Sequence, residues 1–163
     1  DHATPFWSWR HFTYFFAQDC FFAWCRTPFA FSAGTVLPNP ALRLLGCEIG
    51  RRSIIASPLQ AYDWNAVSVG DDAVIDGVLQ YHSLENMTLT VKRARIGDGS
   101  AVNAGATVMG GAVIDAGTTV LPLSLVLKEM RLVPGIYWGS PVEPAASPEW
   151  GPTIHGTPDA VPH

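Results

Sequence analysis

The sequence predicts an all-β protein built as a parallel β-helix, and three observations lead to that fold class. An aliphatic β-branched residue recurs at every sixth position: Ile96, Val102, Val108, Ile114, Val120 and Val126. A small residue fills the fifth place of each six: Ser100, Ala106, Ala112, Thr118 and Ser124. A period of six fits neither a strand nor an amphipathic helix alone. It fits short strands joined by tight corners, three of which close a coil of about 18 residues.

This pattern also predicts which side chains point inward. The recurrent aliphatic residue is expected to fill the interior, and the small fifth residue to lie where the interior is narrow. Gly, Asn or Asp often follows the aliphatic residue, as at Gly97 and Asn103. These residue types tolerate the positive φ that sharp corners require. Successive coils should stack at about 4.8 Å, the spacing of neighbouring strands.

Residues 1–40 are predicted to form an aromatic helical arm followed by a turn-rich linker. Aromatic residues crowd the stretch 6–31, but Arg10 and Asp19 interrupt it, and no 18 consecutive residues are apolar. It is therefore a poor candidate for a transmembrane helix. Pro28 is expected to end the helix. Two interpretations remain open: the helix packs over an open end or face of the coil, or it contacts a membrane interface or a neighbouring domain.

Residues 41–128 are predicted to form the β-helix itself. Ile49, Val69 and Ile96 keep the aliphatic register, with intervals of 20 and 27 residues in place of 18. The first interval predicts a small bulge within 58–64. The second predicts a nine-residue loop excursion at about 81–95. Loops that project from a rigid repeat scaffold commonly carry function.

The C-terminal part is predicted to close the coil and then leave it. Residues 129–145 contain Pro134-Gly135 and the W-G-S-P motif, and they are expected to cover the exposed strand edges. Residues 146–163 are proline-rich and are predicted to be a tail or linker.

Composition excludes several classes of partner. The formal net charge is −4 and 15% of the residues are charged, so neither nucleic acid nor anionic lipid is an expected partner. Three cysteines, Cys20, Cys25 and Cys47, cannot all pair within the chain, which fits a reducing compartment. The first residue is Asp1, and the chain is expected to be part of a longer protein.

Two motifs near the C-terminus resemble a known family. The hexapeptides, S-L-V-L-K-E at 124–129 and W-G-S-P at 138–141 are similar to the ending of left-handed β-helix acyltransferases. The left hand of the predicted coil comes from this resemblance, because general crossover rules favour the right hand.

A closer likeness covers about residues 27–145. The stretches L-R-L-L-G-C-E-I-G-R-R at 42–52, Q-Y-H-S-L-E at 80–85 and I-G-D-G at 96–99 resemble the C-terminal region of ε-poly-lysine-synthetase-type nonribosomal peptide synthetases. This chain departs from the pattern of that family at Val36, where the family tends to have proline, and at Leu84, where it favours phenylalanine. Asn86-Met87 also replaces charged residues that the family favours after the glutamate.

The resemblance implies an activity. In such synthetases these domains stand between membrane spans and act on aminoacyl groups carried by phosphopantetheine. The expected reaction is attack of an amine on a carrier-bound lysine thioester, giving an isopeptide bond. No tightly bound cofactor is expected; the donor would be the phosphopantetheine arm of a carrier domain, or CoA. The expected partners are the aminoacyl carrier domain and sister β-helix domains in a trimer or pseudo-trimer, at the cytoplasmic face of the membrane.

The site residues are expected to centre on the excursion. His82 is the candidate general base, with Glu85 orienting its ring or binding a lysine ammonium. Asp63 and Asn86 are candidates for substrate binding. The resemblance implies that the pantetheine arm lies in a groove between adjacent coils, and its expected contacts are Asn103, Lys128 and Gly139.

These residues also have non-catalytic interpretations. A lone histidine is often structural, and Glu85 also fits an ordinary solvated carboxylate. No metal is expected, because a zinc hydrolase on this fold needs three histidines and only His82 lies in the repeats. A non-catalytic scaffold of the same synthetase and a CoA-dependent hexapeptide acetyltransferase remain the alternative functions.

Overall fold

The computed structural model of the chain describes residues 2–56 and 66–145. Three predictions lie outside these ranges: the bulge within 58–64, the substrate-binding role of Asp63 and the tail at 146–163. The helices are α1 Trp9–Ser32 and α2 Asn39–Leu44. The strands are β1 His2–Pro5, β2 Glu48–Ile49, β3 Ile54–Ile55, β4 Val67–Val69, β5 Val74–Ile75, β6 Val78–Gln80, β7 His82–Glu85, β8 Thr88–Val91, β9 Ala94–Ile96, β10 Ala101–Val102, β11 Thr107–Met109, β12 Val113–Ile114, β13 Thr119–Val120, β14 Leu125–Val126, β15 Arg131–Leu132, β16 Ile136–Trp138 and β17 Glu143–Pro144.

The chain visits three parallel sheets in rotation. The first sheet contains β2, β4, β9, β12 and β15; the second contains β3, β5, β10, β13 and β16, with β17 added antiparallel to β16; the third contains β6, β11 and β14. In the regular turns, each strand pairs with the strand one turn, or 18 residues, later in the chain: Ile96 with Ile114, Val102 with Val120 and Val108 with Val126. We call this arrangement the three-sheet coil. The structure is mostly β, and the predicted 18-residue turn is confirmed in this region.

The core of the three-sheet coil follows the six-residue pattern. All six recurrent aliphatic residues from Ile96 to Val126 are at most 2% exposed, and so are the five small residues from Ser100 to Ser124. Both predictions of burial are therefore confirmed. Burying each Val or Ile side chain stabilises the fold by roughly 1.5–3 kcal/mol. The buried hydroxyl of Thr118 donates to the carbonyl of Asp115 at 2.6 Å, so it does not lose a hydrogen bond by burial.

The corners differ from the sequence prediction. Positive φ occurs three residues after the aliphatic position, at Gly99, Gly105, Gly111 and Gly117, and also at Leu123 and Glu129. The residue directly after the aliphatic position has another role. A Cβ on Gly97 would lie 2.4 Å from the backbone nitrogen of Ala116, so glycine is required there for the close approach of successive turns.

The interval between Ile75 and Ile96 combines a shortening with an insertion. Leu79 pairs with Val108 and therefore occupies one of the recurrent core positions. It lies four residues after Ile75, whereas six residues separate successive core positions in the regular turns. Seventeen residues then lead from Leu79 to Ile96, where six would suffice. Relative to the regular spacing, this interval thus contains a deletion of two residues and an insertion of eleven residues. Together they give the net excess of nine residues that the sequence shows. Gly77 permits the short corner, since a Cβ there would lie 2.5 Å from the carbonyl oxygen of Ala106.

The insertion is an antiparallel hairpin of β7 and β8. Asn86 and Met87 form its turn with φ of 49° and 58°, as a two-residue hairpin loop requires. The N-terminal strand β1 pairs with β8, which makes a three-stranded sheet in the order β1, β8, β7. We call this the hairpin sheet.

Helix α1 lies against the hairpin sheet. It begins after Ser8, whose hydroxyl accepts from the backbone N–H of His11 at 3.1 Å. Tyr14 and Phe15 pack against the buried core. The prediction that Pro28 ends the helix is wrong, because α1 continues to Ser32. Proline lacks a backbone N–H, and the helix continues without that hydrogen bond instead of stopping.

Among the described residues, no helix is long and apolar enough to cross a membrane.

The ends of the coil are closed by different means. At the first end, Leu42 of α2 is fully buried, and Arg43 donates to the carbonyls of Ile49 and Gly50 at 2.9 and 2.8 Å. At the other end, the predicted boundary at 128 is too early, because β15 and β16 still pair within the coil. Leu132 keeps the six-residue register one step beyond Val126 and is 2% exposed, whereas Tyr137 falls outside that register and remains buried at 7% exposure.

Candidate functional site

A small cleft opens where the hairpin sheet leaves the three-sheet coil. Its volume is about 170 Å³. The charged and titratable side chains along it are His82, Glu85, Lys92 and Lys128. We call it the hairpin cleft.

Gly110 fixes the position of the hairpin relative to the coil. A Cβ on Gly110 would lie 2.5 Å from the carbonyl oxygen of Tyr81, which also accepts from the backbone N–H of Lys92 at 3.0 Å. The base of the hairpin therefore lies directly on the turn after β11. Any side chain at position 110 would push the hairpin away and change the shape of the cleft.

Strand alternation sorts the residues of the hairpin between two faces. Successive side chains of a strand point to opposite sides, so Glu85 lies on one face and His82 on the other. The cross-strand partners of the His82 face, Leu89 and Val91, are buried at 0% and 2% exposure. The ring of Phe15 meets that of His82 edge to face, with centroids 6.1 Å apart. His82 is half-buried and borders the hairpin cleft.

The expectation that Glu85 orients the imidazole is therefore not supported by the strand geometry. A separation of three residues could bring two side chains together in a loop or a helix, but not in a strand. The ring of Phe15 is a side chain that does contact His82. Sequence reasoning missed this contact because Phe15 belongs to the N-terminal arm.

Two ion pairs line the far side of the cleft. Lys128 donates to the carboxylate of Glu85, and Lys92 donates to that of Glu129. The hydrogen bond and charge of Lys92, and then the charge of Lys128, hold the pKa of Glu129 below its ordinary value of 4.5. The carboxylate that was expected to bind a substrate ammonium thus already holds the ammonium of Lys128.

The other predicted residues lie apart from the cleft. Asn86 is exposed at the tip of the hairpin. The side-chain amide of Asn103 donates at 2.8 Å to a carbonyl of the next turn of the coil, which is a structural bond. Gly139 lies near the C-terminal end of the coil, with its backbone N–H 3.2 Å from the hydroxyl of Ser124. Of the predicted set, the structure brings Glu85 and Lys128 into contact, while His82 borders the same cleft with its side chain on the opposite face of β7.

Two cleft residues were not predicted from the sequence. Lys92 and Glu129 lie where the hairpin rejoins the coil and where the corner after β14 begins. The signal for them was present, because Lys128-Glu129 and Lys92 interrupt an otherwise apolar and small-residue pattern. The pairing of Lys92 with Glu129 could not be predicted from the sequence, since 37 residues separate the two partners. Among residues 2–56 and 66–145, no group of three or more His, Cys, Asp or Glu side chains is arranged to hold a metal ion.

Comparisons with known proteins give a distant structural likeness. No protein-family model matches the chain, and no curated protein matches it. Among solved structures, the chain is similar to a maltose O-acetyltransferase from Clostridium difficile 630, with 15% sequence identity and a TM-score of 0.42. That likeness covers 66% of this chain and 72% of the other.

Proposed function

We propose that this chain is an acyl-transfer domain of a nonribosomal peptide synthetase, and that it joins carrier-bound aminoacyl groups, lysine in particular, through isopeptide bonds. The single observation that carries the proposal is the hairpin cleft, where a half-buried histidine borders the junction between the insertion and the coil. The sequence resemblance given above supplies the substrate class. A left-handed parallel β-helix is part of the same proposal.

The reaction needs few groups from the protein. An acceptor amine attacks the carbonyl carbon of an aminoacyl thioester; the C–N bond forms, the C–S bond breaks, and the thiolate leaves. The amine proton passes to His82 and then to the departing thiolate. Histidine suits both transfers, because its unperturbed side chain changes protonation between pH 5 and 8. A positioned base typically contributes about 10²–10⁴-fold in rate.

The size of the cleft limits what it can hold. Ligand pockets commonly measure about 300–1,000 Å³, whereas the hairpin cleft measures about 170 Å³. It fits the thioester and the acceptor amine but not a whole pantetheine arm. In this proposal the arm runs outside the cleft, and a sister domain or a second copy in a trimer supplies the other wall. A synthetase of this kind would place the domain at the cytoplasmic face of its membrane.

The paired charges support a role in positioning. Lys128 and Lys92 bring two ammonium groups to the cleft, and each is partly exposed, at 35% and 42%. Because β7 is the edge strand of the hairpin sheet, the acyl group in this proposal lies across that edge, with its developing oxyanion toward these ammonium groups and the acceptor amine toward the His82 ring on the opposite face. In this proposal Glu85 and Glu129 hold these ammonium groups in place.

A non-catalytic scaffold is the second candidate, and one observation favours it. The carboxylate of Glu85 is occupied by Lys128, and strand geometry directs His82 toward Phe15. Both side chains thus have structural contacts that would explain their presence without chemistry. The CoA-dependent acetyltransferase differs from the main proposal only in its donor.

Release of free thiol separates these functions. The folded chain is incubated with lysyl-pantetheine thioester and lysine, and in parallel with acetyl-CoA and the same acceptor. The proposal expects thiol release from the lysyl thioester above the uncatalysed rate, with an isopeptide-linked product by mass spectrometry. Release from acetyl-CoA alone would favour the acetyltransferase. Release from neither donor, with a carrier-linked lysyl donor also tested, would favour the scaffold.

A further inference from the structure

Helix α1 presents an exposed stripe of aromatic side chains. The most exposed aromatic residues of the N-terminal arm are Trp7 at 83%, Trp9 at 77%, Phe12 at 54%, Phe16 at 61%, Trp24 at 84% and Phe31 at 88%. Soluble helices normally turn their polar side to water and bury their apolar side. This helix has its exposed side covered with the largest apolar residues of the chain.

The exposed aromatic residues recur along one side of the helix. At 100° per residue, Trp9, Phe16, Trp24 and Phe31 fall within about 80° of one another around the helix. The rings of Trp9 and Phe12 stack at 5.2 Å, and those of Phe12 and Phe16 at 6.0 Å. From Trp9 to Phe31 the stripe extends for about 33 Å at 1.5 Å per residue.

The inner side of the same helix is already occupied. Phe15 lies against His82, and His11 packs between the rings of Phe6 and Phe15 at 4.5 and 4.8 Å. Since this side holds the helix on the hairpin sheet, the stripe cannot be covered by turning the helix over. Within residues 2–56 and 66–145, no other segment covers the stripe.

The charges beside the stripe indicate the nature of that surface. Among the described side chains of α1, the charged ones are Arg10 and Asp19. They flank the stripe on opposite sides, about 90° from its centre line around the helix. A helix lying in a bilayer surface buries its apolar side by about 5–10 Å, which brings such flanking charges to the level of the headgroups. A zwitterionic headgroup offers a phosphate to Arg10 and an ammonium to Asp19.

We propose that α1 lies flat in the surface of a zwitterionic lipid bilayer, with the stripe from Trp9 to Phe31 buried among the headgroups and upper acyl chains. Tryptophan is enriched at this depth because its ring is apolar and its N–H remains hydrogen-bonded. Trp9 and Trp24 both lie on the stripe, so a helix parallel to the surface carries both rings to the same depth. This inference does not depend on the acyl-transfer proposal.

Flotation with phosphatidylcholine vesicles tests the proposal. The whole chain should float with the vesicles, and its tryptophan fluorescence should shift to shorter wavelength when they are added. Serine at Trp9, Phe12 and Phe16 together should lower the partition coefficient at least tenfold. The matched control is serine at Leu44 and Leu123, which are 90% and 82% exposed but lie away from α1. This control should float like the unchanged chain, and circular dichroism of both variants should show an intact fold.

Three results would overturn the inference. The first is the absence of flotation by the unchanged, folded chain with neutral vesicles. The second is equal loss of flotation in the stripe variant and the control. If the chain instead forms concentration-dependent oligomers that the stripe substitutions abolish, and vesicles do not compete with them, the stripe is a protein interface and the lipid proposal is wrong.

Discussion

The ammonium of Lys128 donates to the carboxylate of Glu85, and this contact ties the corner after β14 to the end of β7, 43 residues earlier in the chain. Beside it, Lys92 donates to Glu129 and ties the other strand of the hairpin to the same corner. The hairpin sheet is thus fastened to the coil by two crossed ion pairs, with Gly110 beneath them. The geometry of the cleft depends on this attachment.

The Glu85–Lys128 pair should contribute little to global stability. Its side chains are 66% and 35% exposed, and exposed pairs typically contribute below about 1 kcal/mol. A double-mutant cycle with Glu85→Gln and Lys128→Met, followed by urea unfolding, should give a coupling of that size that decreases with added salt. The matched control is Arg52 with Asp72, an exposed pair away from the cleft. A coupling of about 3 kcal/mol or more at the first pair alone would contradict the prediction.

Two neighbouring glycines should respond very differently to alanine. Gly97→Ala places a Cβ 2.4 Å from a backbone nitrogen of the next turn, whereas Gly99 has nothing within 4 Å and only a φ of +61°. The first change should lower the free energy of unfolding by about 3 kcal/mol or more, because two backbone segments must separate. The second should cost about 1–2 kcal/mol of backbone strain. Denaturant unfolding of both variants measures this difference, and equal costs would show that the turns are not tightly stacked at Gly97.

Acid should weaken the attachment of the hairpin. The Lys92 ammonium lowers the pKa of Glu129 in the folded state, so the folded state favours the ionised form. That stabilisation is present above the unfolded pKa, about 4.5, and is lost as the pH falls through the lower folded value. Urea unfolding between pH 6 and pH 3 should show a shallower loss of stability for Lys92→Met than for the unchanged chain. Identical pH profiles for the two proteins would count against the pair.

Two cysteines should differ in reactivity. Burial raises the pKa of the Cys47 thiol to about 12, and the residue is 5% exposed, whereas Cys20 is exposed on α1. Because the thiolate is the reactive form, a maleimide at neutral pH should label Cys20 and leave Cys47 unmodified until denaturant is added. Peptide mass spectrometry resolves the two sites. Rapid labelling of Cys47 in the folded chain would show that the first turn of the coil opens readily.

The burial of the repeat positions was predictable from the sequence because an aliphatic residue recurs at a fixed spacing. Every sixth residue from Ile96 to Val126 is aliphatic and buried. The corners were less predictable, since glycine fills this place at four corners, whereas the non-glycine residues Arg52, Asp72, Leu123 and Glu129 adopt positive φ at four others. Neighbouring turns impose that conformation, and the side chain does not reveal it.

The candidate site was only partly predictable, for two physical reasons. The excursion was recognised by its length, but not as a strand pair, so the opposite faces of His82 and Glu85 were missed. The partners of both residues, Phe15 and Lys128, lie far away in sequence. Counting the residues between repeat positions locates an insertion, but it does not show which residues the insertion contacts.

The rate of thiol release from lysyl-pantetheine thioester by a His82→Gln variant tests the central claim most directly. Leu84→Gln is the matched control, because Leu84 shares the strand and the face of His82 and is 53% exposed. Acyl transfer through His82 predicts a rate about 10²–10⁴-fold below that of the unchanged chain for His82→Gln, and an unchanged rate for the control. Equal rates for the two variants, with both proteins folded, would contradict the account and favour the scaffold.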